Sequence, residues 1–238
     1  MKLLPQSLVA IACVVMLTSV ASAAPVTLTT EFDGSQTSAG NLFDVTNHGS
    51  AAVTLTGAFE GNFQDNVWWR ELEVWHRAGS YVGHENDASG WSLLGSDMLT
   101  SKPIPNTPTS FNVDNTLLIS AGETVGLLVY IHGGGLNTQS LSSSAQAGDG
   151  FSDDHLTIAA GVGKSLDGSA SVGGAAPLGG NTISGLRMWN GTIEYTVTAE
   201  DETTTIAIPE PASLAVLGIG GLAMLTRRRM TTARDGLA

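Results

Sequence analysis

The sequence predicts a mainly β protein, a single-domain antiparallel β-sandwich with a jelly-roll-like arrangement. No stretch between residues 24 and 207 keeps a helical period bounded by helix caps. Instead, short segments rich in β-branched and aromatic residues are separated by glycine, serine, threonine and asparagine. Nine such segments, each ended by turn residues, indicate strands that pack as two sheets.

The predicted strands follow in order along residues 26–32, 41–46, 52–59, 67–77, 91–100, 111–119, 124–132, 155–161 and 186–198. In the third of these, Val53 and Leu55 alternate with threonines, which predicts one buried face. Residues 125–131 are apolar throughout, as expected of a central strand covered on both sides. The polar segments 137–150 and 165–180 are predicted to be long loops.

The first 23 residues have the composition of a secretory signal peptide. Lys2 supplies the positive end, residues 8–20 form an apolar core, and Ala21 and Ala23 make a small-residue cleavage site. The chain is therefore expected to be exported and cut after Ala23. This cut removes Cys13, the only cysteine, so the mature protein is expected to depend on a core and not on disulfides.

The C-terminal end contains an apolar run, residues 212–225, flanked by two short motifs. These are Pro209, Glu210 and Pro211 before it, and Arg227, Arg228 and Arg229 after it. A helix of this length reaches roughly 21 Å against a hydrocarbon core of about 30 Å. The run thus predicts a short transmembrane helix with its arginines on the cytoplasmic side.

This order of motifs resembles the PEP-CTERM sorting signal of exported bacterial proteins, which a membrane-embedded exosortase is believed to recognise and process. The resemblance implies the exosortase and the export machinery as partners. It implies transient anchoring in the inner membrane and a destination at the cell surface, outer envelope or extracellular matrix. The domain plan is a signal peptide, a β-sandwich ectodomain, an acidic linker, the sorting signal and a cytoplasmic tail, over residues 1–23, 24–198, 199–207, 208–229 and 230–238.

Within the ectodomain, three strings resemble an uncharacterised module of secreted proteins from environmental bacteria. They are LEVWHRAGSYVGHE, GVGK and RMWNGTIEYTV. That module is frequently found ahead of the same sorting signal, and its members look like β-sandwiches. The resemblance implies a fold and a location, and no activity.

The charge distribution excludes some partners. The chain has a formal net charge of −12, and the only basic residues between positions 24 and 207 are Arg70, Arg77, Lys102, Lys164 and Arg187. Nucleic acid and anionic lipid are poor partners because phosphate binding needs clustered cations. Carboxylates are compatible with calcium, but the acidic segment 149–154 lacks the spacing of a calcium loop and is interpreted as a solvated loop. No cofactor motif is present, since the glycines at 133–135 are not followed by Gly-Lys-Ser or Gly-Lys-Thr.

No catalytic or metal-ligating residues are predicted. Glu71 and Glu73 would point the same way on one strand, as glycosidase carboxylates can, but an exposed face has the same pattern. His76 and His84 could meet across a hairpin with Glu85, yet the chain has no HExxH motif and surface histidines explain the pair.

The adjacent Trp68 and Trp69 are the candidate glycan-stacking residues. Neighbours on a strand point to opposite faces, which would leave one of them exposed to stack on a sugar. We expect a non-enzymatic structural or adhesive protein of the cell surface. The alternatives are a carbohydrate-binding module with extracellular polysaccharide as partner and, second, a secreted hydrolase. A binding module predicts a solvent-facing tryptophan beside polar groups, whereas a matrix protein requires none.

Overall fold

The computed structural model describes residues 23–34, 36–140, 149–165, 178 and 181–198. The chain divides into two compact units, residues 1–198 and 199–238, and every described strand lies in the first. The strands are β1 (Val26–Thr29), β2 (Gln36–Ser38), β3 (Gly40–Asn47), β4 (Val53–Gly61), β5 (Arg70–Ala78), β6 (Ser92–Leu99), β7 (Thr109–Asn112), β8 (Leu117–Ile119), β9 (Thr124–Ile131), β10 (Leu136–Ser140), β11 (Gly150–Ser152), β12 (Leu156–Ala159), β13 (Gly161–Lys164), β14 (Thr182–Trp189) and β15 (Gly191–Val197). The predicted linker, sorting signal and tail lie outside the described residues, as does the predicted signal peptide up to residue 22.

The strands form two sheets. The smaller has the order β1-β15-β4-β7, with β8 also pairing with β4. The larger has the order β2-β10-β14-β13-β3-β9-β5-β6, with β12 pairing with β3 and β11 with β12. All pairings between these strands are antiparallel, and the described part of the chain is almost entirely strand and turn. The prediction of a mainly β, antiparallel protein is therefore confirmed.

The main hydrophobic core contains side chains from both sheets. Leu55 and Ile193 from the smaller sheet belong to the same buried cluster as Phe43, Leu72 and Val129 from the larger one, and all five are fully buried. Alternation along each strand brings these residues to the inner faces, where burial of apolar surface stabilises the pair of sheets. This shared core is what a sandwich requires. The jelly-roll-like arrangement stays a prediction.

Strand β9 is the central strand that its apolar sequence predicts. It pairs with β3 on one side and β5 on the other. Its Leu127 and Val129 lie in the main core, while Leu128 and Tyr130 lie in a second buried cluster on the outer face of the larger sheet, together with Tyr81. The prediction that this strand is covered on both sides is confirmed.

Several predicted strands divide into two. The predicted strand 186–198 divides at Asn190, with β14 in the larger sheet and β15 in the smaller one. The predicted strand 111–119 contains β7 and β8, and the predicted strand 155–161 extends over β12 and β13. The chain passes between the sheets at Asn190, and Gly191 permits the close packing there, since a Cβ at that position would overlap the Trp189 ring and the Glu60 carbonyl oxygen.

Three short strands lie where no strand is predicted. Strands β10 and β11 fall at the two ends of the predicted loop 137–150, and β2 precedes β3. The loop prediction is wrong at both ends. Strand β10 pairs with β2 and β14, and β11 pairs with β12, so these polar segments gain backbone hydrogen bonds from neighbouring strands. Most of the predicted loop 165–180 lies outside the described residues.

Candidate functional site

Residues 67–70 form a short turn that we call the tryptophan arch. Val67 is buried at one end, with 1% of its surface exposed, and Arg70 begins β5 at the other. Between them Trp68 is 52% exposed and Trp69 is 62% exposed, and their ring centroids are 6.3 Å apart with the planes tilted by 55°. The arch therefore presents two neighbouring indole rings to solvent.

The backbone of the arch is unusual at Trp69, which has a φ of +59°. A positive φ is uncommon for a bulky residue and strains the backbone. It also ends the extended conformation, so β5 starts only at Arg70. The predicted strand 67–77 is therefore confirmed from Arg70 onward and wrong at 67–69, where Trp68 and Trp69 do not point to opposite faces of a strand and both side chains are exposed. Their role as glycan-stacking residues stays a prediction.

A loop of three glycines holds both ends of the arch. A Cβ added to Gly135 would overlap Cγ1 of Val67, and one added to Gly133 would overlap Nη1 of Arg70. Gly133, Gly134 and Gly135 all have positive φ, a conformation that costs glycine little. The glycines thus let the loop pack directly against the two end residues of the arch, and the tryptophans project from between them.

Hydrogen bonds complete this anchoring. The Trp69 amide donates to the carbonyl oxygen of Leu99 at 2.6 Å, and Nη1 of Arg70 donates to the carbonyl oxygen of His132 at 3.4 Å. The Gln64 amide donates to the Gly135 carbonyl oxygen at 2.9 Å. The arch is consequently tied to β6, to the end of β9 and to the glycine loop.

A cleft of about 340 Å³ adjoins the arch. It is lined by the glycine loop and by polar side chains that include Thr37, Gln64, Asn66, Arg70 and Ser165. Asn66 precedes the arch and Arg70 ends it, so the cleft adjoins the arch at its two ends, although neither Trp68 nor Trp69 lines it. Apolar rings beside hydrogen-bonding groups are the two components that saccharide recognition uses, since sugars have apolar ring faces and a rim of hydroxyls.

A second cleft, of about 290 Å³, lies on the outer face of the smaller sheet. Its polar lining includes Thr29, Glu60, Asn112, Thr192 and Glu194. Thr29 and Thr192 hydroxyls bond to each other at 3.0 Å across β1 and β15. Of the large apolar side chains exposed in the described residues, none lines this cleft.

Glu73 lies in a buried polar cluster on the outer face of the larger sheet. It is 2% exposed, its Oε2 accepts a hydrogen bond from Nε1 of Trp75 at 2.9 Å, and its Oε1 lies 3.2 Å from Nε2 of His132. The alternation along β5 suggested an exposed face for Glu71 and Glu73. That interpretation is wrong for Glu73, because the segment 79–91 covers this face of the sheet with Tyr81 and Trp91.

The covering segment is held by specific polar contacts. Asp44 on β3 accepts hydrogen bonds from the Ser80 hydroxyl at 2.5 Å and from the Tyr81 amide at 2.8 Å. Burial raises the pKa of Asp44, and the bonds from Ser80 and Tyr81 offset part of that rise. Burial, with the charges of Asp44 and Glu85, raises the pKa of Tyr81 to about 12. These contacts fix the segment over the sheet.

The described histidines include His76 and His84. In the described ranges, no three His, Cys, Asp or Glu side chains converge as a metal site would require. Burial lowers the pKa of His76, and the His84 amide donates to the Tyr81 carbonyl oxygen.

In the acidic segment 149–154, Asp153 has a structural role. Its Oδ1 accepts hydrogen bonds from the His155 and Leu156 amides, each at 2.8 Å, and its Oδ2 accepts one from the Tyr195 hydroxyl at 2.7 Å. Burial alone would raise the pKa of Asp153, but the bonds from Leu156 and Tyr195 outweigh burial and hold that pKa below its usual value. This carboxylate therefore fixes the turn between β11 and β12.

Comparison with known proteins gives information about the C-terminal end. The model of the family described as the PEP-CTERM protein-sorting motif matches residues 207–229, which include Pro209, Glu210, Pro211 and the three arginines. The chain carries this motif, which indicates an exported protein that is sorted by an exosortase. A search of curated proteins finds no match for the chain. Within the described residues, no helix has the length and apolar character needed to cross a bilayer.

Proposed function

We propose that this exported protein binds an extracellular polysaccharide through the tryptophan arch, as a non-enzymatic adhesive component of the cell surface or matrix. The observation that carries the proposal is the pair of exposed indoles at Trp68 and Trp69 beside a polar cleft. Of the alternatives that the sequence leaves open, this geometry favours a carbohydrate-binding module.

Energetic considerations support a binding role for the pair. Burying a large apolar side chain contributes roughly 1.5–3 kcal/mol, so a fold that leaves two adjacent tryptophans exposed forgoes that stabilisation twice. The positive φ of Trp69 adds strain of about 1 kcal/mol. Strained residues cluster at ligand-binding sites, where the surrounding structure maintains them. The glycine loop is the part of the structure that maintains this one.

The polar cleft supplies the directional part of recognition. Stacking on an indole face selects for an apolar ring surface but not for a particular sugar. Hydrogen bonds from side chains such as Gln64 and Asn66 would fix the orientation of the hydroxyl groups. An adhesive protein with one such site needs only moderate affinity, because neighbouring copies on a surface act together.

The test is binding of the full-length chain, purified in detergent, to a panel of bacterial and algal polysaccharides, with calcium and with a chelator. We expect saturable binding that falls at least about fivefold in both Trp68→Ala and Trp69→Ala, the loss expected when one stacking contact of about 1–3 kcal/mol is removed. The matched control is Leu118→Ala, which removes a side chain that is 61% exposed on the smaller sheet. That variant should bind like the unaltered chain.

Failure to bind any polysaccharide, by a chain whose circular dichroism shows a folded β protein, would contradict the proposal. The structural role without a glycan ligand would then be the better account. The proposal would also be contradicted if Trp68→Ala and Trp69→Ala both bind like the unaltered chain. The cleft on the smaller sheet would then be the next candidate for the binding site.

A further inference from the structure

The basic residues of the described ectodomain differ in how far their charges are engaged. Nη1 of Arg77 donates to the Ser80 carbonyl oxygen, and its guanidinium lies 5.9 Å from the centre of the Trp91 ring. Nζ of Lys102 lies 3.4 Å from Oδ2 of Asp65, at the surface. Each of these cations is already placed against a group of the protein.

Two further cations are buried. Lys164 has no exposed surface, and its Nζ donates to the Glu85 carbonyl oxygen at 2.8 Å and to Oδ1 of Asn86 at 2.9 Å. Arg187 is 8% exposed, and burial lowers its pKa. Neither side chain is accessible to a macromolecule in the solvent.

Arg70 differs from these four residues. It is exposed, it lines the cleft, and among the described residues its guanidinium has no carboxylate partner. Its one hydrogen bond, to the His132 carbonyl oxygen, is long at 3.4 Å. The missing side chain at Gly133 provides the space in which the guanidinium lies. The fold therefore places an exposed cation next to two exposed indoles.

We infer that the arch takes an acidic saccharide, in which the Arg70 guanidinium binds the carboxylate of a uronic acid residue while Trp68 and Trp69 cover the apolar ring faces. The inference rests on the proposed function and names its ligand class. A guanidinium presents its N–H donors in a planar fork that matches a carboxylate, which makes arginine the usual partner of that group.

The charges around Arg70 permit this contact. Asp65, the nearest acidic residue before the arch in the sequence, is paired with Lys102. Glu71 follows Arg70 on β5, so its side chain points to the opposite face of the sheet. The protein as a whole is acidic, at −12, but that repulsion is screened beyond about 8 Å at physiological ionic strength. A hydrogen bond between the Arg70 guanidinium and a ligand carboxylate is much shorter than that distance, so screening weakens it less than it weakens the repulsion.

The experiment compares three probes on the full-length chain in detergent by titration calorimetry. They are an oligogalacturonate, its methyl ester, which keeps the same sugar backbone without the charge, and a sulfated galactan oligosaccharide. We expect the oligogalacturonate to bind about tenfold more tightly than its methyl ester, the size of one charge-assisted hydrogen-bonding contact. Arg70→Gln should abolish that preference, so that the oligogalacturonate and its methyl ester bind the variant with equal affinity.

Two further variants sharpen the test. Arg70→Lys keeps the charge but not the fork, and we expect it to retain only part of the preference. The double variant Asp65→Asn with Lys102→Gln removes an exposed ion pair outside the cleft without freeing a carboxylate, and it should leave the preference intact. Circular dichroism and urea unfolding check that each variant is still folded, and the preference is the ratio of the two affinities measured on that variant.

Equal affinity for the acid and its ester would overturn the inference, as would a preference that Arg70→Gln retains. In both cases the proposed function would stand, provided that Trp69→Ala still abolishes binding. A tighter complex with the sulfated oligosaccharide, lost in Arg70→Gln, would overturn the assignment of a carboxylate ligand. If none of the three probes binds, the inference is overturned. The polysaccharide panel then tests the proposed function independently.

Discussion

The described chain places its five tryptophans in two contrasting settings. Trp75, Trp91 and Trp189 belong to the framework: Trp189 is fully buried and stacks on Phe43, with ring centroids 5.5 Å apart, and the other two pack in or against the outer cluster of the larger sheet. The arch pair is more than half exposed. The same residue type therefore serves the core in one place and faces solvent in the other.

Two of the three framework tryptophans have an acceptor for the indole N–H group, whereas Nε1 of the buried Trp189 has none among the described residues. Nε1 of Trp75 donates to Glu73, and Nε1 of Trp91 donates to the His84 carbonyl oxygen at 3.1 Å. Such bonds are what a partly buried tryptophan requires, since an unpaired donor is costly away from water. The difference teaches that position in the fold, and not residue type, decides which tryptophans are accessible to a ligand.

The largest expected effect is on stability, at the most buried tryptophan. Trp189→Ala removes a fully buried ring from the main core and should cost about 3–5 kcal/mol in the free energy of unfolding. Trp68→Ala should change that free energy by no more than about 0.5 kcal/mol, because the side chain is exposed. Urea unfolding followed by circular dichroism measures both. Similar losses in the two variants would show that the arch is part of the core.

A smaller effect separates the two framework tryptophans of the outer cluster. Trp75→Phe leaves the buried Glu73 carboxylate without its indole donor, which should cost about 1–3 kcal/mol. Trp91→Phe removes a donor to a neutral carbonyl oxygen and should cost about 1 kcal/mol. The same unfolding experiment ranks the two. The reverse order would mean that His132 alone satisfies Glu73.

Much of the fold can be predicted from the sequence because local patterns of apolar and polar residues indicate the strands and their buried faces. The apolar run of β9 predicts a strand buried on both faces, and the alternation at Val53 and Leu55 predicts the buried face of β4. The strands that the sequence does not reveal are short or polar, and β10 is an example. Its place in the sheet depends on partners distant in the chain, which no local pattern reports.

The candidate site was accessible to sequence reasoning only in part. The adjacent tryptophans are visible in the sequence and are the right residues to consider, but their strand assignment is wrong because nothing in the sequence signals a positive φ at Trp69. The importance of Arg70 depends on Gly133, which is 63 positions later and meets it only in the folded protein. A run of three glycines indicates that another part of the chain packs closely against the backbone there, but the sequence does not show which part.

The smallest and most discriminating effect concerns the backbone of the arch. Trp69→Gly should relieve the strain of the positive φ, about 1 kcal/mol, and so offset the entropy that glycine loses on folding. Trp68→Gly has no such strain to relieve, since among the described non-glycine residues only Trp69 and Asn106 have positive φ. We therefore expect Trp69→Gly to be more stable than Trp68→Gly by about 1 kcal/mol in the free energy of unfolding.

Polysaccharide binding should nonetheless be lost in both glycine variants. If Trp69→Gly is as stable as the unaltered chain, the Trp69 side chain does not stabilise the fold. A ligand-binding role then accounts for its strained conformation. The matched pair separates these contributions, because unfolding reports the strain and the binding assay reports the indole. Equal stability losses in Trp68→Gly and Trp69→Gly would show that the arch stores no strain, and the exposure of the two rings would then be the only remaining sign of a site.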